Sequence, residues 1–275
     1  MALPPYASPA EKVWYAAFRA LCALILLFLV APILVIIPLS FSSEPYFVYP
    51  LPGVSLRWYE DFFSSVRWQE AVRNSALIAL CTTLLSTTLG TLAALGLSRP
   101  TMPFRNVLMA LLISPMVVPV IITAVGVYFF YAMTGLVNTF TGIILAHTAL
   151  ASPFVVITVT ATLTGIDASL IRAAASLGAD PVSAFFKVTL PLILPGLISG
   201  ALFAFVTSFD EVVVVLFIAG PEQRTLPKQM FSGIREQISP TITAAATLLI
   251  ILSVALLAVV ELLRRRSERL RGVRS

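Results

Sequence analysis

Charged residues are scarce in this 275-residue sequence. Asp, Glu, Lys and Arg together make up 11% of it, whereas 59% of the residues are hydrophobic. A soluble domain carries roughly 25% charged residues, so this chain lacks the charge needed to cover a surface that faces water. The composition therefore predicts a protein whose main solvent is lipid.

The two cysteines, Cys22 and Cys81, both lie inside apolar runs, and no CxxC or Cys/His spacing accompanies them. This pattern is typical of small buried side chains and indicates neither a disulfide framework nor a metal site. The sequence also lacks the G-x-x-x-x-G-K-[ST], H-E-x-x-H and G-x-S-x-G patterns. We therefore expect no P-loop ATP site, no cofactor in this chain and no enzymatic activity of its own.

A single histidine, His147, stands in "ILAHTALASPF". The favoured interpretation is a structural histidine that bonds a neighbouring carbonyl group. A role in a transport pathway is a second interpretation. Pairing with Ser152 in an intramembrane hydrolase is a third, and an enzyme of that kind would be a different class of protein.

Six apolar runs are long enough to cross a bilayer, which takes roughly 20 residues. They cover about 19–41, 72–97, 106–132, 138–164, 192–220 and 241–263. Spanning helices tolerate prolines such as Pro115 and Pro119 where neighbours or water satisfy the freed carbonyls. The sequence therefore predicts an all-α membrane protein in which 1–275 forms one transmembrane domain in the lipid bilayer.

The net charge of +5 is concentrated beside the apolar runs, above all in the C-terminal "RRRSERLRGVRS". This placement indicates a basic tail that flanks a membrane and argues against nucleic acid as a partner. The two terminal segments and the loops 98–105 and 165–191 together hold twelve basic and five acidic residues, whereas the loops 42–73 and 220–240 together hold six of each. The positive-inside rule then predicts that both termini are cytoplasmic in a multi-pass protein of the bacterial inner membrane.

The predicted outer loop 42–73 contains "VSLRWYEDFFSSVRWQEAVRNS", where aromatic residues alternate with acids and arginines. We interpret it as a surface helix at the membrane interface. Contact with a substrate or an outer partner is the alternative interpretation. The aromatic residues that fit a membrane-interface belt are Trp58, Tyr59, Phe62, Phe63 and Trp68.

The loop 165–191 has the pattern of two short helices joined at a glycine. Asp167 can cap the first helix, and Gly178 permits a left-handed end to it. Asp180 and Pro181 can start the second, which "LP" is expected to end before the next span. An exposed face of small apolar residues on this elbow indicates a partner in the cytoplasm.

The same stretch, "RAAASLGADPVSAFFKVTLPLILPG", resembles the EAA motif of ABC-importer permease subunits, with Arg172 in place of the motif's Glu and Val188 in place of its Ile. The resemblance implies a type I ABC importer permease fold in which the elbow is a coupling loop that docks on an ATPase subunit. ATP and Mg²⁺ would then be bound by the ATPase. The docking residues implied are Arg172, Ala173, Ala174, Ala175, Gly178, Ala179, Asp180, Leu190 and Pro191.

The stretch from Ser208 to Thr247 resembles the spermidine/putrescine-type permeases, and "LRWYEDFF" resembles their x-W-Y segment with Trp58 on the aromatic position. Met116 follows Ser-Pro where some polyamine permeases carry an acid. The resemblance implies a second, homologous permease subunit, two ATPase subunits and an extracytoplasmic solute-binding protein as partners. It also implies transport of a small cationic solute, a polyamine or a related amine.

Two adjacent acids, Asp210 and Glu211, interrupt the fifth apolar run. A charged side chain at mid-bilayer costs about 2.5–3.5 kcal/mol, and the sequence places no Lys or Arg deep in a span as a counter-ion. On a continuous helix the two acids would straddle Thr207 in one polar stripe. We therefore predict a substrate pathway lined by Asp210, Glu211, Thr207, Ser208 and Trp58. In the competing interpretation, the acids bond backbone or a neighbouring subunit and only hold packing.

Two further hypotheses remain open. In an ion-coupled secondary transporter, Asp210 and Glu211 would titrate; such folds often contain internal repeats with broken helices, and no repeat is evident between the halves of this sequence. An ABC importer for a different solute, such as an opine, a phosphonate or a metal complex, would have the same spans and elbow.

Overall fold

Helices dominate the computed structural model, which describes residues 6, 8–99, 101–236 and 238–270. Within those ranges the only β pairing is an isolated bridge between Ser42 and Val54. The helices are α1 (Pro9–Leu39), α2 (Arg57–Ser64), α3 (Val66–Leu97), α4 (Arg105–Val117), α5 (Val120–Thr134), α6 (Phe140–Thr164), α7 (Ala168–Ser176), α8 (Pro181–Ala184), a π-helical turn (Phe185–Thr189), α9 (Leu190–Asp210), α10 (Val213–Ile218), α11 (Leu226–Glu236) and α12 (Thr241–Leu270).

Five of the described helices are long and apolar enough to cross a membrane, and the number is six if α4 and α5 together form one span. This confirms the all-α class and the predicted set of apolar spans. Helix α1 begins ten residues before the first apolar run, and the part of it that lies in a membrane stays a prediction. Ser8 and Glu11 form a capping box at its start, in which each side chain accepts a hydrogen bond from the other residue's backbone amide.

The third apolar run is not one straight helix. Helices α4 and α5 meet at an angle of 102° across Val118 and Pro119. Val118 is extended (φ −71°, ψ 131°) because a residue before proline is disfavoured in the helical region, and Pro119 has no N–H to continue the helix. The prediction of one continuous helix over 106–132 is therefore wrong.

The elbow continues into the fifth span without a break. The chain is helical from Pro181 to Asp210, since the π-helical turn links α8 to α9 through a hydrogen bond from the Leu190 amide to the Phe185 carbonyl. The expectation that "LP" ends the second elbow helix is therefore wrong. Pro191 follows directly after the π-helical turn, inside this continuous helix.

The fifth apolar run is itself broken beyond Asp210. Glu211 is extended (φ −69°, ψ 122°), and helix resumes only at Val213. The prediction of a single helix over 192–220 is wrong for this reason.

Two compact units can be separated in the chain: Met1–Ser64 with Glu236–Leu252, and Ser65–Arg235 with Ser253–Ser275. The larger unit has a core of three helices, α3, α6 and α9, that pack on one another. Helix α9 presents a stripe of small buried residues, Gly196, Gly200, Ala204 and Ser208, at every fourth position. Small residues allow close approach of helix backbones in membranes, and a Cβ on Gly196 would meet Thr162 and the Thr158 carbonyl of α6.

The smaller unit contains α1, α2 and the start of α12. The Trp58 indole Nε1 donates a 2.7 Å hydrogen bond to the Ser42 carbonyl, and the Thr241 hydroxyl donates one of 2.7 Å to Asp61 Oδ2. None of the residues of α1 is buried within the described chain. The single transmembrane domain predicted for 1–275 stays a prediction.

The aromatic-belt prediction is wrong for three of its five residues. Trp58, Phe62 and Trp68 are buried in the protein and therefore do not present their rings to a membrane interface. Phe63 is exposed, and Tyr59 is half-buried. The predicted surface helix is also divided, because α2 ends at Ser64 and the rest of the segment belongs to α3.

Candidate substrate pathway

The break between α9 and α10 separates the environments of the two adjacent acids. Glu211 turns its carboxylate onto the start of α10, where Oε1 accepts a 2.8 Å hydrogen bond from the Val214 amide and Oε2 one of 3.2 Å from the Val215 amide. The first amides of a helix have no partner within the helix and carry partial positive charge. Glu211 therefore caps α10, and its charge is compensated by backbone amides.

His147 of α6 contacts both sides of this break. Its Nδ1 lies 2.8 Å from Ser208 Oγ, and its Nε2 lies 3.4 Å from Glu211 Oε2. The His147 side chain is 0% exposed and that of Glu211 is 8% exposed. Within the described residues Nε2 has no hydrogen-bond partner by geometry, and its 3.4 Å contact with the Glu211 carboxylate is an electrostatic one. We name His147, Ser208 and Glu211 the His147 cluster.

This arrangement corrects the favoured interpretation of His147, which faces two side chains and not a neighbouring carbonyl group. It also places an imidazole beside the Glu211 carboxylate, a contact that the sequence does not predict. Ser152, the proposed partner in a hydrolase, donates instead to the Thr148 carbonyl of its own helix at 2.7 Å. The sequence signal that could have placed Ser208 next to α6 is the stripe of small residues on α9.

Asp210 is the last residue of α9 and is exposed. In the part of the chain that the structure describes, no hydrogen bond or ion pair engages its carboxylate. Thr207, nearly one turn earlier, is half-buried. Phe203, seven residues before Asp210 and on the same side of the helix, is 53% exposed and stacks on Phe154 with ring centroids 5.9 Å apart.

The predicted pathway residues are therefore divided between different roles in the structure. The prediction that Asp210 and Glu211 line one stripe with Thr207 and Ser208 is wrong, because the helix ends between the acids and the Ser208 and Glu211 side chains turn inward to His147. Asp210 and Thr207 keep the exposed or half-exposed positions that a pathway needs. Trp58 belongs to the smaller unit, where its indole bonds Ser42, and its place in a pathway stays a prediction.

The coupling elbow has the predicted local structure. Asp167 caps α7 by accepting a hydrogen bond from the Ser169 amide, and Asp180 caps α8 through the Ser183 amide. These hydrogen bonds hold the pKa of each carboxyl below its usual value. Between the helices Gly178 has φ +83°, the left-handed conformation that favours glycine.

Exposed apolar side chains cover part of the elbow, and Leu177 is 89% exposed beside the exposed Val182 and Phe186. Among the predicted docking residues, Leu190 is half-buried and packs against the core. The rest are placed as follows: Arg172, Ala173, Ala175, Gly178, Asp180 and Pro191 are exposed, and Ala174 and Ala179 are half-buried. Their role in docking stays a prediction.

The segment 220–225 is anchored to α3 by two polar residues that sequence reasoning missed. Asn74 Nδ2 donates to the carbonyls of Glu222 and Arg224 at 2.9 and 3.0 Å, and Ser75 Oγ accepts from the Leu226 amide at 2.7 Å. Lys228 Nζ donates to the Ala219 carbonyl at 2.6 Å, and burial lowers its pKa. The signal in the sequence was the polar pair Asn74–Ser75 at the start of the second apolar run.

A set of apolar spans, an exposed elbow between two of them and a buried polar break in the fifth define a membrane transport permease. The chain belongs to the family described as "binding-protein-dependent transport system inner membrane component", which matches residues 86–271. It is a permease subunit of an ABC importer, as the resemblance of the elbow implied, and a bacterial inner-membrane protein.

Two relatives and one solved structure show the extent of the similarity. The chain is 32% identical to the spermidine/putrescine permease protein PotC of Haemophilus influenzae, over 88% of this chain and 93% of the relative. It is 34% identical to the putrescine permease protein PotI of Escherichia coli K12, over 81% and 82%. A bacterial ABC transporter involved in the import of alginate matches with a TM-score of 0.75 at 18% identity, over 94% of this chain and 99% of that chain. The structural match shows the shared fold alone.

Proposed function

We propose that this permease forms half of a translocation pathway for a small cationic solute, a polyamine or a related amine, and that Asp210 is the acid that faces the cargo. One observation carries this proposal: Asp210 is exposed and unengaged within the described chain, at the C-terminal end of a long apolar helix. An exposed charge on such a helix needs water, a partner or a cation nearby.

The end of α9 has the electrostatic character that suits an ammonium group. The last carbonyls of a helix carry a partial negative charge, which adds to the charge of the Asp210 carboxylate. Broken helices in transporters use such C-terminal ends to hold cations. The Phe203 ring, on the same side of α9, can add a cation–π contact further along.

The relatives support an amine as cargo, because the names of both refer to putrescine. The fold does not identify the cargo, since the matching transporter is involved in the import of an acidic polysaccharide. The charge of the cargo must therefore be argued from the side chains at the break.

The proposed assembly contains a second, homologous permease subunit, two ATPase subunits that bind ATP and Mg²⁺, and an extracytoplasmic solute-binding protein. The exposed apolar residues Leu177, Val182 and Phe186 support the elbow as the surface for the ATPase. Both termini and the elbow would be cytoplasmic, and 220–225 would face the binding protein. Since the helix is continuous from Pro181 to Asp210, movement of the elbow would reach the break directly.

The test is ATP-driven uptake of labelled putrescine by the assembled complex in proteoliposomes. We expect Asp210→Asn to raise KM by about fivefold or more, because it removes charge that attracts the cation, and Asp210→Glu to stay within about twofold of wild type. Val206→Ala, at an exposed residue of α9 outside the predicted pathway, is the matched control and should leave KM unchanged. An unchanged KM in Asp210→Asn would refute the assignment of Asp210. Failure of the wild-type complex to transport putrescine or spermidine would refute the amine.

A further inference from the structure

His147 bridges two parts of the broken span with one side chain. Its Nδ1 meets Ser208 in the last turn of α9, and its Nε2 faces Glu211, the first residue beyond that helix. Helix α10 packs against α5 and α6, whereas α9 continues to the elbow. The short link of Glu211 and Val212 therefore joins a helix that leads to the elbow to one that packs on α5 and α6.

The Glu211 side chain is held by contacts that it would lose if it rotated away from α10. Its carboxylate faces two amides of α10 and the imidazole of His147. Without the imidazole, one side of this buried carboxylate faces a space with no polar partner, and an uncompensated buried charge is costly. The alternative for the side chain is to turn toward water, where its sequence neighbour Asp210 already lies.

We propose that His147 is a positioning residue for transport, which holds Glu211 in the cap of α10 so that the pathway contains one carboxylate, Asp210, and not two. This inference rests on the proposed role of Asp210 in the pathway. A second carboxylate beside Asp210 would bind a cation more tightly and release it more slowly. Loss of His147 should therefore lower the maximal rate of uptake without raising KM.

Two substitutions of His147 distinguish the role of its Nε2 atom from that of its Nδ1 atom. In His147→Gln the side-chain amide can reach the place of Nε2, next to Glu211. In His147→Asn the shorter amide can reach only the place of Nδ1, next to Ser208. We expect His147→Gln to keep Vmax for labelled putrescine within about twofold of wild type, and His147→Asn to lower Vmax by about fivefold or more with KM unchanged or reduced.

A second substitution distinguishes a role of His147 in positioning Glu211 from a general loss of protein structure. In the His147→Asn background, Glu211→Gln removes the displaced charge and should restore at least half of the wild-type Vmax. A purely structural role for His147 predicts instead that the second change leaves the rate equal or lowers it further. The two single changes and the double change form a double-mutant cycle, which measures their coupling directly.

Separate controls test whether each variant assembles and whether putrescine is the cargo. Copurification of the ATPase subunits shows whether each variant assembles; should His147→Asn not assemble, His147→Ala takes its place with the same expected fall in Vmax. Ser208→Ala removes only the contact with Nδ1 and should, like His147→Gln, keep Vmax within about twofold of wild type. Should the wild-type complex not transport putrescine, the amine cargo is refuted, and the same comparison is made on the ATPase rate of the complex with its binding protein. Equal behaviour of His147→Gln and His147→Asn, or no recovery with Glu211→Gln, would overturn the proposal.

Discussion

The carboxylates of Asp210 and Glu211 lie in opposite environments although the residues are adjacent in the chain. Glu211 accepts hydrogen bonds from the Val214 and Val215 amides and faces His147, whereas Asp210 is exposed at the end of α9. The helix ends between them, so one acid stabilises the break and the other is available to a solute. The interpretation in which an acid bonds backbone holds for Glu211, and the pathway role stays a prediction for Asp210.

The first prediction concerns the stability of the break. Glu211→Ala leaves two helix amides without their acceptor and removes the carboxylate that faces the buried His147 ring, so we expect a loss of about 1–3 kcal/mol in the free energy of unfolding. Asp210→Ala is the matched control and should leave stability nearly unchanged, since no described residue bonds that carboxylate. Thermal unfolding of the purified complex in detergent measures both. Equal losses in the two variants would contradict the division of roles.

The second prediction concerns the contact between α6 and α9. A Cβ at position 196 would lie 2.8 Å from the Thr158 carbonyl, too close for any real side chain. Gly196→Ala should therefore force the helices apart and cost about 1–3 kcal/mol. In Gly126→Ala a Cβ meets nothing within 4 Å, so this change in α5 is the matched control. A fall in melting temperature for Gly126→Ala as large as that for Gly196→Ala would show that the contact is not responsible.

The spans and the elbow could be predicted because local chemistry determines them. Long apolar runs require helices in lipid, and Asp167, Gly178 and Asp180 are capping residues whose preferences act within a few positions. Each of these features appeared in the structure close to its predicted place. The exact ends were less predictable, as α1 shows, where a capping box at Ser8 extends the helix beyond the apolar run.

The breaks in the third and fifth spans could not be predicted because they depend on what lies next to them. Proline occurs inside α1 at Pro32 without a break, while Pro119 separates α4 from α5. At the break, Glu211 faces His147, which lies 64 positions earlier in the chain. Hydrophobic periodicity carries no information about such a contact and therefore predicts one continuous helix for both acids.

The third prediction concerns Trp58. Its indole donates to the Ser42 carbonyl inside the smaller unit, so Trp58→Phe removes that hydrogen bond and keeps most of the apolar contact. We expect a cost of about 0.5–1.5 kcal/mol, and no change in the KM of uptake if the role of Trp58 is structural. Limited proteolysis of the complex measures the loss of stability. Phe63→Leu, which changes an exposed ring of α2, is the control. A raised KM with normal resistance to protease would instead support the pathway role predicted from the sequence.

The last prediction concerns the elbow. At Gly178, φ is +83°, a conformation that costs other residues about 1–2 kcal/mol, with Asn the best tolerated of them. We expect copurification of the ATPase subunit to fall in the order Gly178, Gly178→Asn, Gly178→Val, because each change strains the turn between α7 and α8 more than the one before. Gly165→Ala is the matched control, since a Cβ there makes only an ordinary contact with the Thr162 carbonyl. If Gly178→Val retains the ATPase as well as wild type does, either docking does not need this turn or the elbow is not the docking surface. Ala173→Glu and Ala175→Glu then decide between these two explanations.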